Sequence, residues 1–532
     1  MTETEDYELH RAIIDALLSS EKVLDRHTIN QIKNRICAKF SASRVPSNAV
    51  VLQAAIPEEL EILRPLMRKR PVRTVSGVSV VAVMTSPQKC PHGKCAYCPG
   101  GPDLGVPQSY TGHEPATMRG IQHEFDPFRQ VTGRLDQLRT IGHNIEKTEL
   151  IVMGGDWCSK SLDYREDFVK GCIDAMNGQV SKTFSDAKKL NENASIRNVG
   201  MTFETRPDWV TEQSINEMLD FGATRVELGV QSLSNEILER VERGHGIEET
   251  IAATKMLRDS GLKVCYHMMP GLPGSTPERD AEEFRTLFED SRYRPDMLKI
   301  YPTIVVANTK LFDWWKNGHY TPYTNDQIVN LVAEVMSLMP EYVRIQRMQR
   351  DIPLHQIEAG LSRGNLRELV HQRMETEGLR NPTIRYREIG HFQMRSNSEI
   401  DIEKIQLVRR DYEAADGMEI FLSYEEPELD VIFGFLRLRI PSDTAFRTEI
   451  SSMPCAIIRE LRVYGPVVEI GERDPEAWQH LGLGEKMIGA VEDIARDEFD
   501  SSRILVNSGL GVKPYYRTLG FACSKGELES II

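Results

Sequence analysis

From residue 78 onward the sequence alternates between short apolar segments and longer polar segments that favour helix. This alternation is typical of parallel strands joined by right-handed helical crossovers, because each polar segment returns the chain to the start of the next strand. Six strands are predicted, at 78–84, 149–153, 198–205, 225–230, 263–268 and 297–301. The fold class is therefore α/β, and the strand number favours a partial (β/α)6 barrel with its chemistry at the carboxyl ends of the strands.

Three cysteines follow the first predicted strand in a loop rich in glycine and proline: Cys90, Cys95 and Cys98. Their close spacing suits a metal site better than a disulfide framework. A [4Fe–4S] cluster can take four thiolates, and three would leave one iron open for another ligand. S-adenosylmethionine (SAM) usually fills such a vacancy through its amino and carboxylate groups. The alternative is a zinc ribbon or knuckle, although the chain has no second Cys-x2-Cys pair to complete one.

Glycines and polar side chains end several of the later strands, where a nucleoside could bind. Gly154 and Gly155 follow the second strand, and glycine lets the backbone approach a ligand closely. Glu204 ends the third strand, and Glu227 and Gln231 end the fourth. A buried carboxylate at a strand end binds a ribose or pairs with an arginine, and the sequence leaves both interpretations open. We predict that these five residues form the SAM site.

These motifs together resemble the radical SAM superfamily, as does the segment Met269-Pro-Gly-Leu-Pro-Gly274. The first cysteine spacer has four residues, whereas most members of that superfamily have three. The longer spacer is similar to the one found in the family of the catalytic subunit of Elongator. Further similar segments lie at 109–112, 126–128, 152–155, 347–353 and 364–369. Asp156 stands where that family would have threonine.

A second unit with a different pattern begins near residue 401, where antiparallel strands precede a helix at 484–499. The segment Gln479-His-Leu-Gly-Leu-Gly484 resembles the pyrophosphate loop of Gcn5-related N-acetyltransferases (GNAT). In that loop, free backbone N–H groups at a helix start bind the diphosphate of coenzyme A. The resemblance implies a mixed-sheet α+β GNAT domain with an acetyl-CoA site. The implied binding residues are Glu460, Leu461, Arg462, Val463, Leu483, Gly484 and Glu485.

Three residues are candidates for catalysis. Tyr516 matches the family's tyrosine near the thioester, which can donate a proton to the leaving thiolate and also contacts acetyl-CoA. Tyr515 lies beside it, and a core tyrosine is the alternative for both. Lys299 ends the last barrel strand and would point into the barrel mouth. The resemblance to the Elongator subunit also implies that Lys147 contacts acetyl-CoA, which would place the two units across a shared cleft.

The formal charge of −14 argues against indiscriminate binding of nucleic acid, but it does not exclude a local basic surface. Two basic clusters lie in the first 75 residues, which are predicted to be helical. Each could be a solvated helix face, and two in one short segment favour contacts to phosphate groups. We predict that this segment contacts RNA through Lys33, Arg35, Lys39, Arg68, Lys69 and Arg70.

Four domains are expected: a basic helical segment at 1–75, a radical SAM domain at 76–340, an Arg-rich linker domain at 341–400 and a GNAT domain at 401–532. The resemblance implies an acyltransferase of the radical SAM type that converts the wobble uridine of transfer RNA to 5-carboxymethyluridine. The cofactors would be a [4Fe–4S] cluster, SAM and acetyl-CoA. Two alternatives remain: a protein lysine acetyltransferase with a structural cluster, and a scaffold that binds transfer RNA within a larger complex.

The implied partners are a transfer RNA anticodon loop, whose single-stranded bases are readable, and an electron donor. A homodimer or a larger complex is also open. We expect a cytoplasmic protein without a membrane span. No secretory signal or long apolar run is found in the sequence, and an odd number of cysteines, nine, suits a reducing compartment.

Overall fold

The computed structural model describes residues 3–20, 24, 26–40, 42, 45–52, 54–67, 75–396, 398–465, 482–524 and 527–531. Its N-terminal part consists of four helices: α1 Glu3–Leu18, α2 Arg26–Lys39, α3 Asn48–Leu52 and α4 Pro57–Met67. Their apolar faces bury Ile13, Ile32 and Leu63 in a small separate core. Arg11 Nη1 on α1 contacts Glu59 Oε2 on α4 at 2.6 Å, which fixes the first helix to the last.

Seven parallel strands form the next unit, in the order β1-β2-β3-β4-β5-β6-β8. Their bounds are β1 Ser79–Met84, β2 Lys147–Met153, β3 Arg197–Thr205, β4 Arg225–Gln231, β5 Lys263–Met268, β6 Met297–Ile300 and β8 Arg344–Arg347. The first six match the predicted strands closely. The seventh corrects the predicted number, since it comes from the segment predicted to be a linker. Its sequence, Arg-Ile-Gln-Arg, hides the strand because it holds a single apolar residue.

The sheet curls into a partial barrel. Lys299 Nζ on β6 lies 3.1 Å from Glu204 Oε1 on β3, although β4 and β5 separate these strands in the sheet. Side chains of non-adjacent strands can meet only if the sheet is strongly curved. The inner face therefore forms a lumen, and β1 and β8 are the edges of the sheet.

Helices between the strands cover the outer face of the barrel. They are α5 Pro115–Gln122, α6 Pro127–Thr140, α7 Leu162–Asn177, α8 Phe184–Asn191, α9 Glu212–Phe221, α10 Asn235–Arg240, α11 Ile247–Asp259, α12 Pro277–Glu289, α13 Lys310–Lys316 and α14 Asn325–Ser337. Several start at a threonine whose hydroxyl accepts a backbone N–H of the first turn, as Thr211 and Thr324 do. These caps satisfy N–H groups that the helix itself cannot bond.

A smaller segment follows the barrel. The two-stranded sheet of β7 Val305–Val306 and β9 Ile357–Ala359 borders it, and three helices come next: α15 Leu366–Glu377, α16 Ile384–Arg387 and α17 Ile389–Gln393. Gly390 packs directly against Val75, where a Cβ would lie 2.7 Å from the valine side chain. This contact joins the segment to the chain that leads into β1.

The C-terminal unit is a mixed seven-stranded sheet in the order β10-β11-β12-β13-β14-β16-β15. Its strands are β10 Gln406–Ala414, β11 Gly417–Glu426, β12 Val431–Ile440, β13 Cys455–Val463, β14 Arg503–Val506, β15 Ala522–Ser524 and β16 Glu527–Ile531, and its helices are α18 Thr448–Ser451, α19 Leu483–Phe499 and α20 Lys513–Thr518. The parallel pair β13 and β14 separates after Ile458 and Val506. Residues 459–463 therefore border a split between the two strands.

Buried ion pairs join the mixed sheet to the amino ends of the barrel strands. Arg459 Nη2 lies 2.6 Å from Asp296 Oδ1 just before β6, and Arg258 Nη1 lies 2.7 Å from Glu419 Oε1. These side chains are almost completely shielded from solvent. Charges buried this deeply are tolerated only if each keeps its partner. No helix in the described part of the chain is both long and apolar enough to cross a membrane.

Candidate active site

A cleft with a cavity volume of about 150 Å³ lies at the carboxyl ends of the barrel strands. The cysteine loop, the loop after β2 and the ends of β3 and β4 all contribute to its walls. Of the predicted residues, it brings together Cys90, Gly155, Glu204, Glu227 and Gln231. Gln231 Oε1 is buried and accepts no hydrogen bond from the protein, which leaves an acceptor for a bound ligand.

The two glycines after β2 serve different purposes. Both have positive φ angles, 129° at Gly154 and 87° at Gly155, which favour glycine. A Cβ on Gly154 would lie 2.3 Å from Thr85 Oγ1, so close packing requires glycine there. The atom nearest to a Cβ on Gly155 would be Gln108 Cβ, at 3.7 Å. Gly155 therefore leaves free space at the wall of the cleft.

Hydrogen-bond donors surround the sulfur atoms of the cysteine loop. Arg243 Nη1 lies 3.7 Å from Cys95 Sγ, and Gln108 Nε2 donates to Cys98 Sγ at 3.1 Å. Burial, with the neighbouring thiols adding to it, raises the pKa of Cys90 to about 12. Deprotonated sulfurs this close together repel one another, so they gain most from a shared cationic group.

The distances between these sulfurs bear on whether the loop binds zinc or an iron–sulfur cluster. Thiolates around one tetrahedral zinc, at about 2.3 Å from the metal, lie about 3.8 Å apart. In the described part of the chain, the only three ligand atoms of His, Cys, Asp or Glu found within 4.8 Å of one another belong to Glu227, Cys265 and His267. The three loop sulfurs do not all lie within 4.8 Å of one another, and this wider spacing fits an iron–sulfur cluster whose thiolates bind different irons.

Below the cleft, the barrel lumen holds a fixed lysine. Lys299 Nζ contacts Glu227 closely, and Glu227 Oε2 also lies 2.9 Å from His267 Nε2. Burial alone would lower the pKa of Lys299, but the carboxylates of Glu227 and Glu204 outweigh burial and raise it. The two carboxylates therefore stabilise the charged form of Lys299, and its catalytic role stays a prediction. Its ammonium group also neutralises the carboxylate of the Glu227, Cys265 and His267 group.

Ion pairs continue through the lumen to the opposite end of the strands. Arg225 lies between Glu149, at 2.5 Å, and Glu227, at 3.4 Å. Glu149 Oε2 in turn lies 3.9 Å from Arg462 Nη2 on β13 of the mixed sheet. A series of charged side chains thus runs from the cleft to the C-terminal mixed sheet.

The predicted acetyl-CoA residues of β13 line the split between β13 and β14. Glu460 and Arg462 point to the barrel, whereas Leu461 and Val463 pack into the core below α19. Leu483, Gly484 and Glu485 form the first turn of α19, whose N–H groups have no partner within the helix. Residues 479–481 of the predicted pyrophosphate loop lie outside the described residues.

The two candidate tyrosines differ in exposure. Tyr516 is 4% exposed and Tyr515 is 37% exposed, with their ring centres 5.4 Å apart. Burial raises the pKa of both phenols, and that of Tyr515 reaches about 12. Both therefore stay protonated and can donate a hydrogen bond. The negative charge of Glu460 also contributes to the raised pKa of Tyr516, so this phenol lies near the part of β13 that borders the split.

Lys147 begins β2 and thus lies at the amino end of the barrel, which faces the mixed sheet. The adjacent strand β3 contacts the mixed sheet there, through Val199 packed on Gly509. The cleft, however, lies at the other end of the strands, and β4 from Arg225 to Gln231 spans about 20 Å. The cleft and the residues predicted to bind acetyl-CoA thus lie at opposite ends of the barrel strands, and Lys147 lies where the two units face each other.

The predicted RNA contacts on α2 are only partly exposed. Arg35 and Lys39 lie on the surface. Lys33 is buried, and its Nζ donates to Asn48 Oδ1 at 2.7 Å, so it holds α2 against α3. The prediction that Lys33 contacts phosphate is wrong, because its ammonium group is buried and bonded to Asn48. Arg68, Lys69 and Arg70 lie outside the described residues.

Sequence reasoning missed the residues that bond the sulfur atoms. Arg243 is 148 residues from Cys95 in sequence, and no local motif marks it. Gln108 and Ser109 lie nearer to Cys98, only 10 and 11 residues away, but in an irregular loop. Only the closing of the barrel brings Arg243 beneath the cysteine loop.

Comparison with known proteins identifies the family. The model of the radical SAM superfamily matches residues 84–287, that of the radical SAM C-terminal domain matches 295–376, and that of the ELP3 N-terminal domain matches 7–75. A tRNA uridine(34) acetyltransferase of Methanocaldococcus jannaschii is 48% identical over 526 residues, or 97% of each chain. The chain belongs to the Elp3 family.

Other relatives agree. Elongator complex protein 3 of Homo sapiens is 41% identical over 501 residues, covering 93% of this chain and 91% of the human one. The solved structure of Elp3 from Methanocaldococcus infernus, with an N-terminal deletion, is 42% identical with a TM-score of 0.77, and covers 86% of this chain and 100% of that chain. The predicted fold class, a radical SAM partial barrel followed by a mixed-sheet domain, is confirmed.

The contact of Arg243 with Cys95 leads to a prediction. We expect Arg243→Gln to lower cluster content or activity about 10- to 100-fold, as loss of a group that bonds a metal ligand usually does. Iron per chain after anaerobic reconstitution would measure the effect. Arg240→Gln removes the same charge from exposed α10 and should change nothing. Equal iron contents and activities for the two variants would contradict the role of Arg243.

Proposed function

We propose that this Elp3-family enzyme modifies uridine 34 of transfer RNA, with SAM and acetyl-CoA as cosubstrates and 5-carboxymethyluridine as product. The names of its relatives support the substrate. The observation that carries the proposal is the placement of two sites in one barrel. A cleft with Cys90 in its wall lies at the carboxyl ends of the barrel strands, and the split between β13 and β14, which would take acetyl-CoA, lies on the side of their amino ends.

The residues of the cleft fit a [4Fe–4S] cluster and SAM. Cys90, Cys95 and Cys98 would hold the cluster, while Glu204 and Glu227 would accept hydrogen bonds from the ribose. When bound, the cluster and SAM supply a carbon-centred radical that can take hydrogen from an unactivated methyl group. Lys299 holds both carboxylates in place and balances their charge.

The residues of the split fit acetyl-CoA. The free backbone edge of residues 459–463 would bond the amides of the pantetheine arm, and the first turn of α19 would bind its phosphates. Tyr516, held protonated by burial, would donate its proton to the thiolate that leaves when the thioester is hydrolysed. Lys147 lies at the same end of the barrel and would add a positive charge beside the cofactor.

The covered face of the mixed sheet disfavours a protein lysine acetyltransferase. Such an enzyme needs an open groove for a protein segment on the side where the acetyl group emerges. Here Glu460 is 8% exposed and bonded to Arg437, and Arg462 faces Glu149 of the barrel. The acetyl group would therefore emerge towards the barrel lumen, where the radical cleft lies at the other end.

Replacing Tyr516 tests the chemistry at the split. We expect Tyr516→Phe to lower product formation about 100-fold, because a positioned proton donor typically contributes that much or more. The Kd for acetyl-CoA and the iron content should remain unchanged. Tyr515→Phe removes a neighbouring, more exposed hydroxyl and should have a much smaller effect. The reverse order of the two variants would assign the proton to Tyr515 instead.

Isotope transfer tests the joined reaction. The reduced enzyme would be given SAM, RNA and acetyl-CoA with deuterium in the acetyl methyl group. We expect deuterium in the 5′-deoxyadenosine that is released, and the remaining deuterium in the modified uridine. Acetylated lysines formed without SAM, or 5′-deoxyadenosine free of deuterium, would contradict the proposal.

A further inference from the structure

The arginines that follow the barrel fall into two groups. Some have carboxylate partners: Arg344 Nη1 lies 3.0 Å from Glu388 Oε2, and Arg380 Nη2 lies 2.5 Å from Glu341 Oε1. Among the described residues, Arg350, Arg363, Arg367, Arg385 and Arg395 have no carboxylate within 4.0 Å. Arg363 and Arg395 are exposed, and Arg350 donates to the main-chain oxygen of Ser109. Arg367 and Arg385 differ from these in being half-buried and close enough to repel each other.

Arg367 lies near the start of α15, half-buried. Its Nη2 donates only to two main-chain oxygens, those of Ile345 at 3.3 Å and Gln346 at 3.4 Å. Burial, together with the positive charges of Arg385 and Arg344, lowers the pKa of Arg367 to about 9. A guanidinium group that is shielded from water and faces other cations is unfavourable in the free protein.

Arg385 on α16 has the same kind of environment. Burial lowers its pKa to about 10, with Arg344 adding to the effect and Glu388 opposing it. Glu388 already bonds Arg344 and Ser76, so its charge is shared. No hydrogen bond from the Arg385 side chain to another described residue is found. Its five N–H donors are therefore available to a ligand.

Two neutral histidines, His371 and His391, lie beside Arg367 and Arg385 and complete this cluster. His371 follows Arg367 by one helical turn on α15, and its Nε2 atom is buried without a hydrogen-bond partner. Burial lowers the pKa of His371 to about 4, and the cations of Arg367, Arg395 and Arg385 contribute. His391 on α17 also has a pKa of about 4 for the same main reason, burial. The histidines are thus neutral donors at neutral pH.

Few acidic groups face the cluster. Glu375 lies one turn beyond His371 and acts on Arg395, and Glu368 bonds Asn365 at 3.1 Å. Neither carboxylate contributes to the pKa of Arg367 or Arg385. The cluster therefore keeps an uncompensated positive charge in a protein whose formal charge is −14.

An open groove connects the cluster with the cleft. Arg367 and His371 line this groove together with the residues that follow β8. Arg347 belongs to the walls of both the groove and the cleft. A polymer whose reactive unit enters the cleft would therefore have its neighbouring units in the groove.

We propose that Arg367 and Arg385, with His371, form a binding site for the phosphodiester backbone of the RNA beside the uridine that enters the cleft. A phosphate group would supply the missing counter-charge, accept the free guanidinium and imidazole N–H groups, and tolerate the partly exposed setting. The inference rests on the proposed function in that RNA is the substrate, and it adds the surface that holds it.

Binding of an RNA hairpin with a uridine-containing loop tests the proposal, measured by fluorescence anisotropy on the full-length protein over a series of salt concentrations. We expect Arg367→Gln and Arg385→Gln each to weaken binding about tenfold, as loss of a hydrogen bond to a charged group does. Each should also reduce the slope of log Kd against log salt concentration by about 1. Arg385→Lys should keep most of that slope.

Arg373→Gln is the matched control, because Arg373 lies on the same helix α15 but is paired with Glu377 at 3.2 Å. It should leave binding unchanged. Thermal unfolding adds a second measurement: removing a cation that lacks a partner should leave the Tm unchanged or raise it. Unchanged RNA affinity in both glutamine variants would overturn the proposal, and so would a Tm that falls together with affinity.

A hairpin with cytidine in place of the uridine separates this proposal from the proposed function. Phosphate contacts carry no base information, so the cytidine hairpin should show the same dependence on Arg367 and Arg385. If that dependence is found but no uridine is modified, the proposed function fails and the phosphate site stands. If uridine is modified and the variants bind normally, the phosphate site is wrong.

Discussion

Replacement of Cys95 by alanine is expected to abolish formation of the modified uridine, at least about a thousand-fold, because the cluster carries the chemistry that the side chains cannot supply. Cys95 is buried, and its sulfur lies within reach of Arg243 and His92. Loss of one of three thiolates leaves the cluster with two protein ligands. Iron per chain and product nucleoside would be measured after anaerobic reconstitution.

Cys172→Ala is the control for this experiment, since Cys172 is a buried cysteine in the core between α7 and the sheet. It should retain iron and activity. RNA binding by the Cys95 variant should also match that of the wild type, because Cys95 does not line the groove that holds Arg367 and His371. A Cys95 variant that still forms product would remove the cluster from the reaction.

The second large effect is expected at the junction between the barrel and the mixed sheet. Asp296 is the shared partner of Arg459, at 2.6 Å, and of Arg258 and Arg437, each at 3.5 Å. Asp296→Ala would leave these arginines buried with too few carboxylates. We expect the free energy of unfolding to fall by about 3–5 kcal/mol, the usual cost of removing one partner of a buried pair.

Urea unfolding would measure this loss, with Asp290→Ala as the control. Asp290 pairs with Arg292 in the same loop but is partly exposed, so its removal should cost less than about 1 kcal/mol. Burial would raise the pKa of Asp296, but the neighbouring arginines outweigh burial and hold it well below its usual range. Its contribution to stability is therefore present above the pKa of an unfolded aspartate, about 4, and is lost only in strong acid. Equal losses for the two variants would contradict the account of the junction.

The regular parts of the fold could be predicted because their signals are local. Five of the barrel strands carry continuous apolar runs or strict alternation, so period and length suffice to place them. The seventh strand, Arg344–Arg347, could not be found in this way. Its buried Arg344 is accommodated by partners far along the chain, Glu388 and Tyr464, whereas Arg347 pairs with Asp351 just after the strand.

The candidate site divides in the same manner. Cys90, Cys95 and Cys98 lie in one loop, so their spacing alone indicates a metal site. The prediction of Lys33 as an RNA contact was wrong because its ammonium group bonds Asn48, a partner that the spacing of basic residues in the sequence does not reveal. Arg243 escaped prediction because it meets the cysteine loop only after the chain has closed the barrel.

The relative position of the two sites also depends on tertiary structure. The sequence motifs imply a cluster and an acetyl-CoA site but contain no information on which barrel end receives the second unit. Buried pairs such as Arg459 with Asp296 fix that choice, since Asp296 immediately precedes a strand and thus marks the amino end. In the proposed function, the acetyl group and the uridine would therefore meet along the lumen.

One measurement tests the central claim most directly: reaction of the reconstituted protein with transfer RNA, SAM, acetyl-CoA and a strong reductant in the absence of oxygen. Digestion and mass spectrometry would identify the nucleosides, with single omissions of each cosubstrate. The account predicts 5-carboxymethyluridine at position 34, and none when SAM, acetyl-CoA or reductant is left out. Product formed without SAM or reductant, or acetylated protein lysines in place of modified uridine, would contradict it.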